Sequence, residues 1–340
     1  MKHSTAHRVA ISNSKLVIHV DHGDTLLGGI LRAGVGVPYE CNAGGCGSCK
    51  YTLLDGSVAD DLEETAGLRG SDRRKNKHLA CISRPQSDCT IDLKLDPEYT
   101  PKNAPQKIDA SLHSIEKLTH DLWEFHFDAP RTACFLPGQY AKINLPGVIG
   151  PRSYSMSNLA NANGRWSFQI KRVEGGASSK VLFDSSTTDL QVTIDGPYST
   201  AYLRADSVRP VICIGGGSGL APMVSILRGI SQLKSDIPKP VLYYGARQER
   251  DVVDQEYFAK IPGFSPENQY IPIVSAPEES DTWAGATGLV HEFLKSHLNE
   301  VTQDSDFYMA GPPPMVDAVR RHLVLDRGIP VDRLYYDRFF

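Results

Sequence analysis

The sequence has 340 residues, a formal net charge of −4, 22% charged residues and 41% hydrophobic residues. This length predicts two or three domains, and the weak net charge without an aromatic-interleaved basic patch argues against a nucleic-acid-binding protein. The N-terminal stretch MKHSTAHRVAISNSK has no apolar signal-peptide core, and no apolar run reaches membrane-spanning length. We therefore expect a cytoplasmic protein without a membrane partner.

The first hundred residues read as a small mixed domain. Residues 8–20 alternate in apolar character around a polar turn, which predicts a hairpin. Residues 25–33 carry leucine and isoleucine at helical spacing, with Asp24 as the predicted N-cap. Residues 50–54 and 91–95 are predicted strands.

Four cysteines form the most specific pattern in the chain. Cys41, Cys46 and Cys49 have the spacing C-x4-C-x2-C, and Cys81 lies thirty-two positions after Cys49. This is the plant-type arrangement of 2Fe–2S ligands. Glycines between the first three cysteines let the backbone wrap a small anionic cluster and turn its N–H groups inward. The pattern predicts these four cysteines as metal ligands.

Other interpretations of the cysteines stay open at this point. A structural zinc site is the main alternative, although such sites usually show two close Cys/His pairs and Cys81 stands alone. A disulfide framework is disfavoured by the odd number of seven cysteines. Cys89, Cys134 and Cys213 lack a motif, and we expect them to be buried thiols.

Two charge runs follow the cysteine motif. Residues 60–64 are acidic and residues 73–77 are basic. We interpret both as solvated faces, with docking of an electron-transfer partner as the alternative.

Proline and strand patterns divide the rest of the chain. Three prolines stiffen the predicted linker, residues 98–105, and its preceding turn. It separates a first domain, 1–97, from a second, 106–204, in which short alternating strands predict a small β-barrel or sandwich. In the third, 205–340, strands alternate with helices, which is typical of a parallel α/β sheet.

The second domain carries a candidate cofactor motif, R-x-Y-S. Arg152 can hold a phosphate with its guanidinium fork, and Tyr154, two residues on in a strand, points to the same face and can lie against a flat aromatic cofactor. The alternative is a surface arginine beside a packed tyrosine. The glycine pair within residues 175–179 opens a helix and presents free N–H groups to a pyrophosphate.

The third domain carries two glycine-rich turns. Residues 215–219 follow an apolar strand and precede a helix, with Pro222 in its first turn. Residues 311–315 follow another strand of the same domain. The glycines allow the phosphates of a dinucleotide to approach the backbone, and the alternative is a tight strand–helix turn without a ligand.

In this order the motifs resemble the NADH-dependent ferredoxin–flavin reductases of bacterial multicomponent oxygenases, over essentially the whole chain. Residues 38–42, 195–198 and 336–340 look most like the reductases of toluene and alkene diiron monooxygenases. The reductases of Rieske ring-hydroxylating dioxygenases are the alternative. The resemblance implies a plant-type ferredoxin domain of β-grasp α+β fold, a six-stranded antiparallel β-barrel that binds FAD, and a parallel α/β domain that binds NAD.

The resemblance also implies residue roles. Arg152 would hold the FAD pyrophosphate, Tyr154 would lie against the isoalloxazine, and Ser155 would form a hydrogen bond near its N5. Phe340 would cover the flavin face that nicotinamide enters, and with Tyr154 and Ser155 it forms the predicted catalytic set. The other predicted cofactor-binding residues are Lys171, Gly176, Ala177, Ser178, Ser179, Gly215, Gly216, Gly217, Ser218, Gly219, Pro222, Arg247, Gly311, Pro312 and Met315.

One position departs from the family pattern. Ala310 stands where the family usually has a cysteine before G-P-P, which affects the coenzyme's position or the rate of hydride transfer. Arg247 could meet a 2′-phosphate, but the further Lys/Tyr of NADP-selective relatives is not evident, so we predict NADH.

These observations predict an oxidoreductase that passes electrons from NADH through FAD and a 2Fe–2S cluster, one at a time. The predicted acceptor is a Rieske-type ferredoxin or the oxygenase component, and the reductase is expected to be a monomer. The alternatives are a self-contained NADH oxidase and a zinc-stabilised nucleotide-binding protein without redox function.

Overall fold

The computed structural model describes residues 6–184, 189–233, 238–278, 282–298 and 303–339. Within this part, the chain forms two compact units, one ending at Gln106 and the other running from Lys107 to Phe339. The division lies beside the predicted linker. The predicted domain limits, with a boundary between 204 and 205, stay predictions.

The first unit is a mixed sheet with a helix packed on it. Its elements are β1 (His7–Ile11), β2 (Val17–Val20), α1 (Leu26–Arg32), β3 (Lys50–Asp55), β4 (Val58–Asp60), α2 (Gly70–Arg73), β5 (Lys77–Leu79), β6 (Ser83–Pro85) and β7 (Cys89–Leu93). The main sheet has the order β2-β1-β7-β3-β5, and β1 and β7 are parallel. Gly29 lets α1 approach the sheet, because a Cβ there would lie 2.6 Å from Val20 Cγ2. This is the predicted β-grasp fold.

The start of α1 differs from the prediction by one residue. Thr25, not Asp24, is the N-cap, and its Oγ1 accepts the N–H of Gly28 at 3.1 Å. The carboxylate of Asp24 accepts the N–H of Thr25 at 2.9 Å and pairs with Arg32 at 2.6 Å. Asp24 was the wrong cap because its side chain bonds a partner eight positions away.

Two further predictions need correction. The last strand of the first unit runs from Cys89 to Leu93, two residues earlier than predicted, because Val9 pairs with Cys89. Cys134 is exposed, whereas we expected a buried thiol. Its neighbours Ala133 and Phe135 are the buried residues, so the alternation of the extended chain turns Cys134 outward.

The second unit begins with an antiparallel barrel. Its elements are β8 (Gln106–Lys117), β9 (Leu122–Asp128), β10 (Tyr140–Asn144), β11 (Arg152–Ser155), β12 (Arg165–Lys171), α3 (Ala177–Leu182) and β13 (Gln191–Tyr198). The strand order is β11-β10-β13-β8-β9-β12, and a bridge between Met156 and Phe168 nearly closes the sheet. The interior holds fully buried aromatic rings, including Phe125 and Trp166. The six-stranded barrel is confirmed.

A parallel sheet with helices follows in the same unit. Its elements are β14 (Val211–Gly216), α4 (Leu220–Ile230), β15 (Val241–Ala246), α5 (Gln255–Ala259), α6 (Pro266–Gln269), β16 (Tyr270–Val274), β17 (Ala286–Thr287), α7 (Val290–His297), β18 (Asp306–Gly311), α8 (Pro313–Arg321) and β19 (Leu334–Arg338). The order is β17-β16-β15-β14-β18-β19, and every pair is parallel. The chain reverses its direction of winding between β14 and β18, where ligands of such sheets bind. None of the described helices combines the length and apolar character needed to cross a bilayer.

A buried polar cluster joins the barrel to the α/β half of this unit. The Glu124 side chain is only 2% exposed; it accepts a hydrogen bond from the Tyr257 hydroxyl at 3.1 Å and lies 3.8 Å from Arg228 Nη1. Gln169 Nε2 donates to the same tyrosine hydroxyl at 2.7 Å. Because Glu124 and Gln169 are barrel residues while Arg228 and Tyr257 lie on α4 and α5, the cluster fixes α4 against the barrel.

Arg228→Met is expected to lower the free energy of unfolding by about 3 kcal/mol, because it leaves the Glu124 carboxylate buried without a cation. Lys260→Met is the matched control, since it removes an exposed ion pair with Glu116 at 3.1 Å and a peripheral contact 5.9 Å from the ring centre of Tyr257, leaves Arg228 beside Glu124, and should cost less than about 1 kcal/mol. Urea unfolding followed by circular dichroism gives both values. Equal losses in the two variants would contradict the role of the buried cluster.

Candidate functional site

The cysteine loop wraps with its backbone N–H groups turned toward sulfur. Gly44 and Gly47 have φ of +83° and +79°, a conformation that glycine adopts without strain. The N–H of Cys46 lies 3.3 Å from Cys41 Sγ, and the N–H of Ser48 lies 3.5 Å from Cys46 Sγ. Such a loop suits an anionic metal–sulfur group, since the N–H dipoles stabilise negative charge.

The loop also brings the distant cysteine close. The N–H of Ala80 donates to the carbonyl of Cys49 at 2.9 Å, which places Cys81 beside the loop, and both Cys49 and Cys81 are buried. A hydrogen bond from the Cys41 side chain lowers the pKa of Cys46 to about 4 and raises the pKa of Cys41. This hydrogen bond stabilises the thiolate of Cys46, the form of cysteine that binds metal, and the protonated thiol of Cys41.

Sequence reasoning missed the segment that supports this loop. Thr65 Oγ1 and the N–H of Gly67 both donate to the carbonyl of Gly44, the second at 3.0 Å. A Cβ at Gly47 would lie 2.8 Å from the Gly67 carbonyl oxygen. The contacts join residues about twenty positions apart in an irregular stretch, so neither periodicity nor a motif indicated them.

The R-x-Y-S motif forms β11 at the edge of the barrel sheet. Arg152 and Tyr154 pair with Ile143 and Ala141 of β10, so they share one face. Burial raises the pKa of Tyr154, and its hydroxyl faces Ser178 at the start of α3. The two predicted flavin segments are therefore neighbours in the structure.

Ser155 differs from the rest of the motif by its burial. It is 3% exposed, and its hydroxyl has no hydrogen-bond partner among the described residues. A buried hydroxyl without a partner is uncommon in proteins and indicates a group that a ligand can satisfy. Arg152 is exposed and uses Nη1 on the carbonyls of Ile149 and Pro151, both at 3.2 Å.

Helix α3 starts at Gly176, its N-cap, beside an open cleft. Ser179 Oγ accepts the N–H of Val173 at 2.8 Å and fixes the turn that leads into the helix. Lys171 forms ion pairs with Asp121 at 3.2 Å and Asp251 at 3.5 Å. Its predicted contact with FAD stays a prediction.

The two glycine turns of the α/β half meet at the switch point. Gly215 of β14 pairs with Ala310 of β18. A Cβ at Gly219 would collide with the carbonyl of Ala310, and a Cβ at Gly216 would lie 2.5 Å from Met315 Sδ. Glycine is required here because two backbones approach closely, which is also what a dinucleotide site needs.

Strand β15 contributes two residues to this region. The hydroxyl of Tyr244, which the sequence analysis did not single out, donates to the carbonyl of Gly217 at 3.3 Å and steadies the glycine turn. Arg247 follows β15 and is exposed at the carboxyl end of the sheet. The predicted nucleotide residues therefore lie on neighbouring parallel strands.

Helix α4 connects the glycine turn to the flavin motif. Ser225 Oγ donates to the carbonyl of Asn158 at 2.8 Å, and Arg228 Nη1 donates to the carbonyl of Ser157 at 2.9 Å. These carbonyls follow Ser155 by two and three residues. The helix that begins at the nucleotide turn is thus anchored to the end of the R-x-Y-S segment.

Comparisons with known proteins identify all three predicted kinds of domain. Three family models match the chain: a 2Fe-2S iron-sulfur cluster binding domain at residues 9–86, an oxidoreductase FAD-binding domain at 109–202 and an oxidoreductase NAD-binding domain at 213–321. The ferredoxin–NAD(P)+ reductase CarAd of Metapseudomonas resinovorans is 38% identical over 94% of this chain and 95% of its own length. The chain belongs to the ferredoxin–NAD(P)+ reductase family.

Other members of this family are similar over the same length. The ferredoxin–NAD+ reductase component of the alkene monooxygenase system of Xanthobacter autotrophicus is 36% identical over 93% of this chain and 95% of its own. The solved ferredoxin reductase in carbazole 1,9a-dioxygenase is 34% identical, covers 100% of both chains and gives a TM-score of 0.90. The predicted cofactors, the 2Fe–2S cluster, FAD and NAD, are confirmed, and the zinc alternative is not supported.

The donor sets fit these groups. Cys41, Cys46 and Cys49 lie in a loop whose N–H groups face sulfur, and Cys81 lies beside that loop. The unpartnered hydroxyl of Ser155 lies in the flavin segment. The predicted role of Phe340 lies outside the described residues. The residue-by-residue roles stay predictions.

Gly219→Ala is expected to raise the KM for NADH about tenfold, because the added Cβ must push the glycine turn away from β18 at a cost of about 1–3 kcal/mol. Gly70→Ala is the control, since the nearest atom to its new Cβ is 3.8 Å away. Steady-state reduction of ferricyanide at varied NADH concentration measures both. An unchanged KM in the Gly219 variant would show that the turn does not shape the coenzyme site.

Proposed function

We propose that this reductase takes a hydride from NADH onto FAD and passes electrons singly through its 2Fe–2S cluster to an oxygenase system. FAD, when bound, supplies the exchange between two-electron and one-electron transfer. The observation that carries the proposal is the anchoring of α4 to the carbonyls of Ser157 and Asn158. It makes the nucleotide turn and the flavin segment parts of one packed body.

The barrel residues hold and orient the flavin in this proposal. Arg152 is exposed at the edge strand, where its guanidinium can reach a pyrophosphate, and the N-terminus of α3 offers further N–H donors. Tyr154 would lie against the isoalloxazine, and Ser155 would donate its buried, unpartnered hydroxyl near N5. The glycine turns at 215–219 and 311–315 hold NADH with its nicotinamide toward that flavin.

The cysteine loop holds the cluster in this proposal. Cys41, Cys46 and Cys49 provide three thiolates from one loop, and Cys81 provides the fourth from the neighbouring segment. Thr65 and Gly67 hold the carbonyl of Gly44, which has a left-handed conformation, and the loop's N–H groups would donate to the sulfurs of a bound cluster. Such hydrogen bonds are one means by which a protein tunes cluster potential.

The acceptor is an oxygenase component or a Rieske-type ferredoxin, with the reductase acting as a monomer. The 36% identity to the reductase component of an alkene monooxygenase system supports a monooxygenase as the acceptor system, and we propose that it is of the diiron type. A Rieske dioxygenase system is the second candidate, because the carbazole 1,9a-dioxygenase ferredoxin reductase has a TM-score of 0.90 with this chain.

Ser155→Ala is expected to slow reduction of bound FAD by NADH by about tenfold to a hundredfold, the loss of one hydrogen bond to the reacting ring. Ser153→Ala, on the same strand but exposed, is the matched control. Anaerobic stopped-flow absorbance gives the rates, and flavin fluorescence after denaturation gives FAD content. A normal rate in the Ser155 variant with full FAD content would rule out its role.

Cys46→Ser is expected to abolish the iron–sulfur absorbance while NADH still reduces the flavin, because the cysteine loop and the barrel belong to different compact units. Cys134→Ser, at an exposed cysteine, should leave iron content unchanged. Iron and sulfide analysis and visible absorbance make the comparison. Loss of flavin reduction in the Cys46 variant would contradict the separation of the two cofactor sites.

A further inference from the structure

A turn of unusual charge lies in the first unit. Residues 69–77, called here the basic turn, have a single carboxylate, Asp72, and otherwise only cationic charges, which are Arg69, Arg73, Arg74, Lys75 and Lys77. The chain as a whole has a net charge of −4, so the basic turn opposes the charge of the molecule.

The cations of the basic turn are not neutralised within the unit. Asp72 accepts Lys50 Nζ at 2.7 Å and the backbone N–H of Arg69 at 3.1 Å, so its charge is already paired with Lys50. Across the described residues, none of the five cationic side chains of the turn forms an ion pair. Arg73, Arg74 and Lys75 are exposed. An unpaired group of this kind generates a local positive field.

The acidic run at 60–64 is different. Asp60 accepts hydrogen bonds from Ser83 Oγ at 2.5 Å and His78 Nδ1 at 2.8 Å, and the guanidinium of Arg84 pairs with Asp61 at 2.6 Å. Among the residues that the structure describes, Glu63 and Glu64 are the two carboxylates of the run that form no ion pair. Of these two charge runs, the basic turn therefore carries the larger unpaired charge.

Three connections place the basic turn next to the cysteine loop. It begins two residues after Gly67, whose N–H holds Gly44. Its strand, β5, ends at Leu79, two residues before Cys81. Its Asp72 is bonded to Lys50, which directly follows Cys49. A protein that docks on this turn comes close to the predicted cluster ligands.

We propose that the basic turn is the docking surface for an acidic redox protein that takes single electrons from the cluster. This inference rests on the proposed function, because it needs a cluster from which electrons leave. Positive and negative surfaces steer partners together and orient them, and exposed rim charges act mainly on the rate of encounter. A basic partner would instead need the two carboxylates, Glu63 and Glu64.

The test uses the whole holoenzyme and three acceptors. Cytochrome b5 has an acidic surface, cytochrome c has a basic one, and ferricyanide is a small ion that needs no protein docking. One NADH reduces two ferric haems to ferrous haems and yields NAD+ and one proton, so atoms and electrons balance.

The variant is Arg73→Gln/Arg74→Gln/Lys75→Gln. The matched control, Arg8→Gln/Lys15→Gln/Lys94→Gln, also removes three exposed positive charges, but away from the edge strand β5. At low ionic strength the first variant should reduce cytochrome b5 about tenfold more slowly and lose most of the salt dependence. Calorimetric binding of oxidised cytochrome b5 should weaken in parallel, and the control should resemble the native enzyme.

Two results would overturn the docking proposal, and a third would contradict the proposed function. Equal effects of the two triple variants on cytochrome b5 would reduce the inference to a general charge effect and overturn it. A selective loss of cytochrome c reduction in Glu63→Gln/Glu64→Gln, with the basic-turn variant unaffected, would assign docking to a basic partner and also overturn it. Failure of the native enzyme to reduce ferricyanide with NADH would instead contradict the proposed function.

Discussion

The packing of α4 against the barrel is the constraint on which the second unit depends. The Glu124 carboxylate is buried, and its stability requires the nearby guanidinium of Arg228 and the hydroxyl of Tyr257. The same guanidinium donates to the carbonyl of Ser157, just after the flavin motif. Arg228 therefore has two roles. It compensates the buried charge of Glu124, and it anchors the helix that begins at the nucleotide turn. Hydride transfer needs donor and acceptor atoms in close, fixed geometry, and this junction supplies the rigidity.

The first unit has a different structural requirement. Its cysteine loop must turn tightly enough for the backbone to wrap around a small metal–sulfur cluster. Gly44 and Gly47 adopt left-handed conformations, and the segment carrying Thr65 and Gly67 holds them there. The same segment leads into the basic turn. The stretch that holds the cysteine loop and the stretch that we propose for docking are thus consecutive in the chain, so the proposed docking surface lies beside the predicted cluster ligands.

The sequence predicted the features that follow from neighbouring residues, such as strands, helices and turns. Alternation along β9 and β12 indicated the barrel, and the alternation of apolar strands with helices after residue 210 indicated the α/β sheet. Contacts between distant residues could not be predicted, as for Thr65 with Gly44 and for Arg228 with Ser157, because no periodicity records which loops meet. The exposure of Cys134 was missed for a related reason, since its direction follows from the pairing of Ala133 with Asn161. The roles of single cofactor-binding residues rest on family resemblance and on geometry that fits them.

The central claim is that electrons from NADH reach a 2Fe–2S cluster in this chain through FAD. The most direct measurement is an anaerobic titration of the purified holoenzyme with NADH, followed by visible absorbance and electron paramagnetic resonance. The account predicts bleaching of the flavin together with the rhombic signal of a reduced 2Fe–2S cluster. Flavin bleaching without that signal, in protein with full iron and sulfide content, would contradict it.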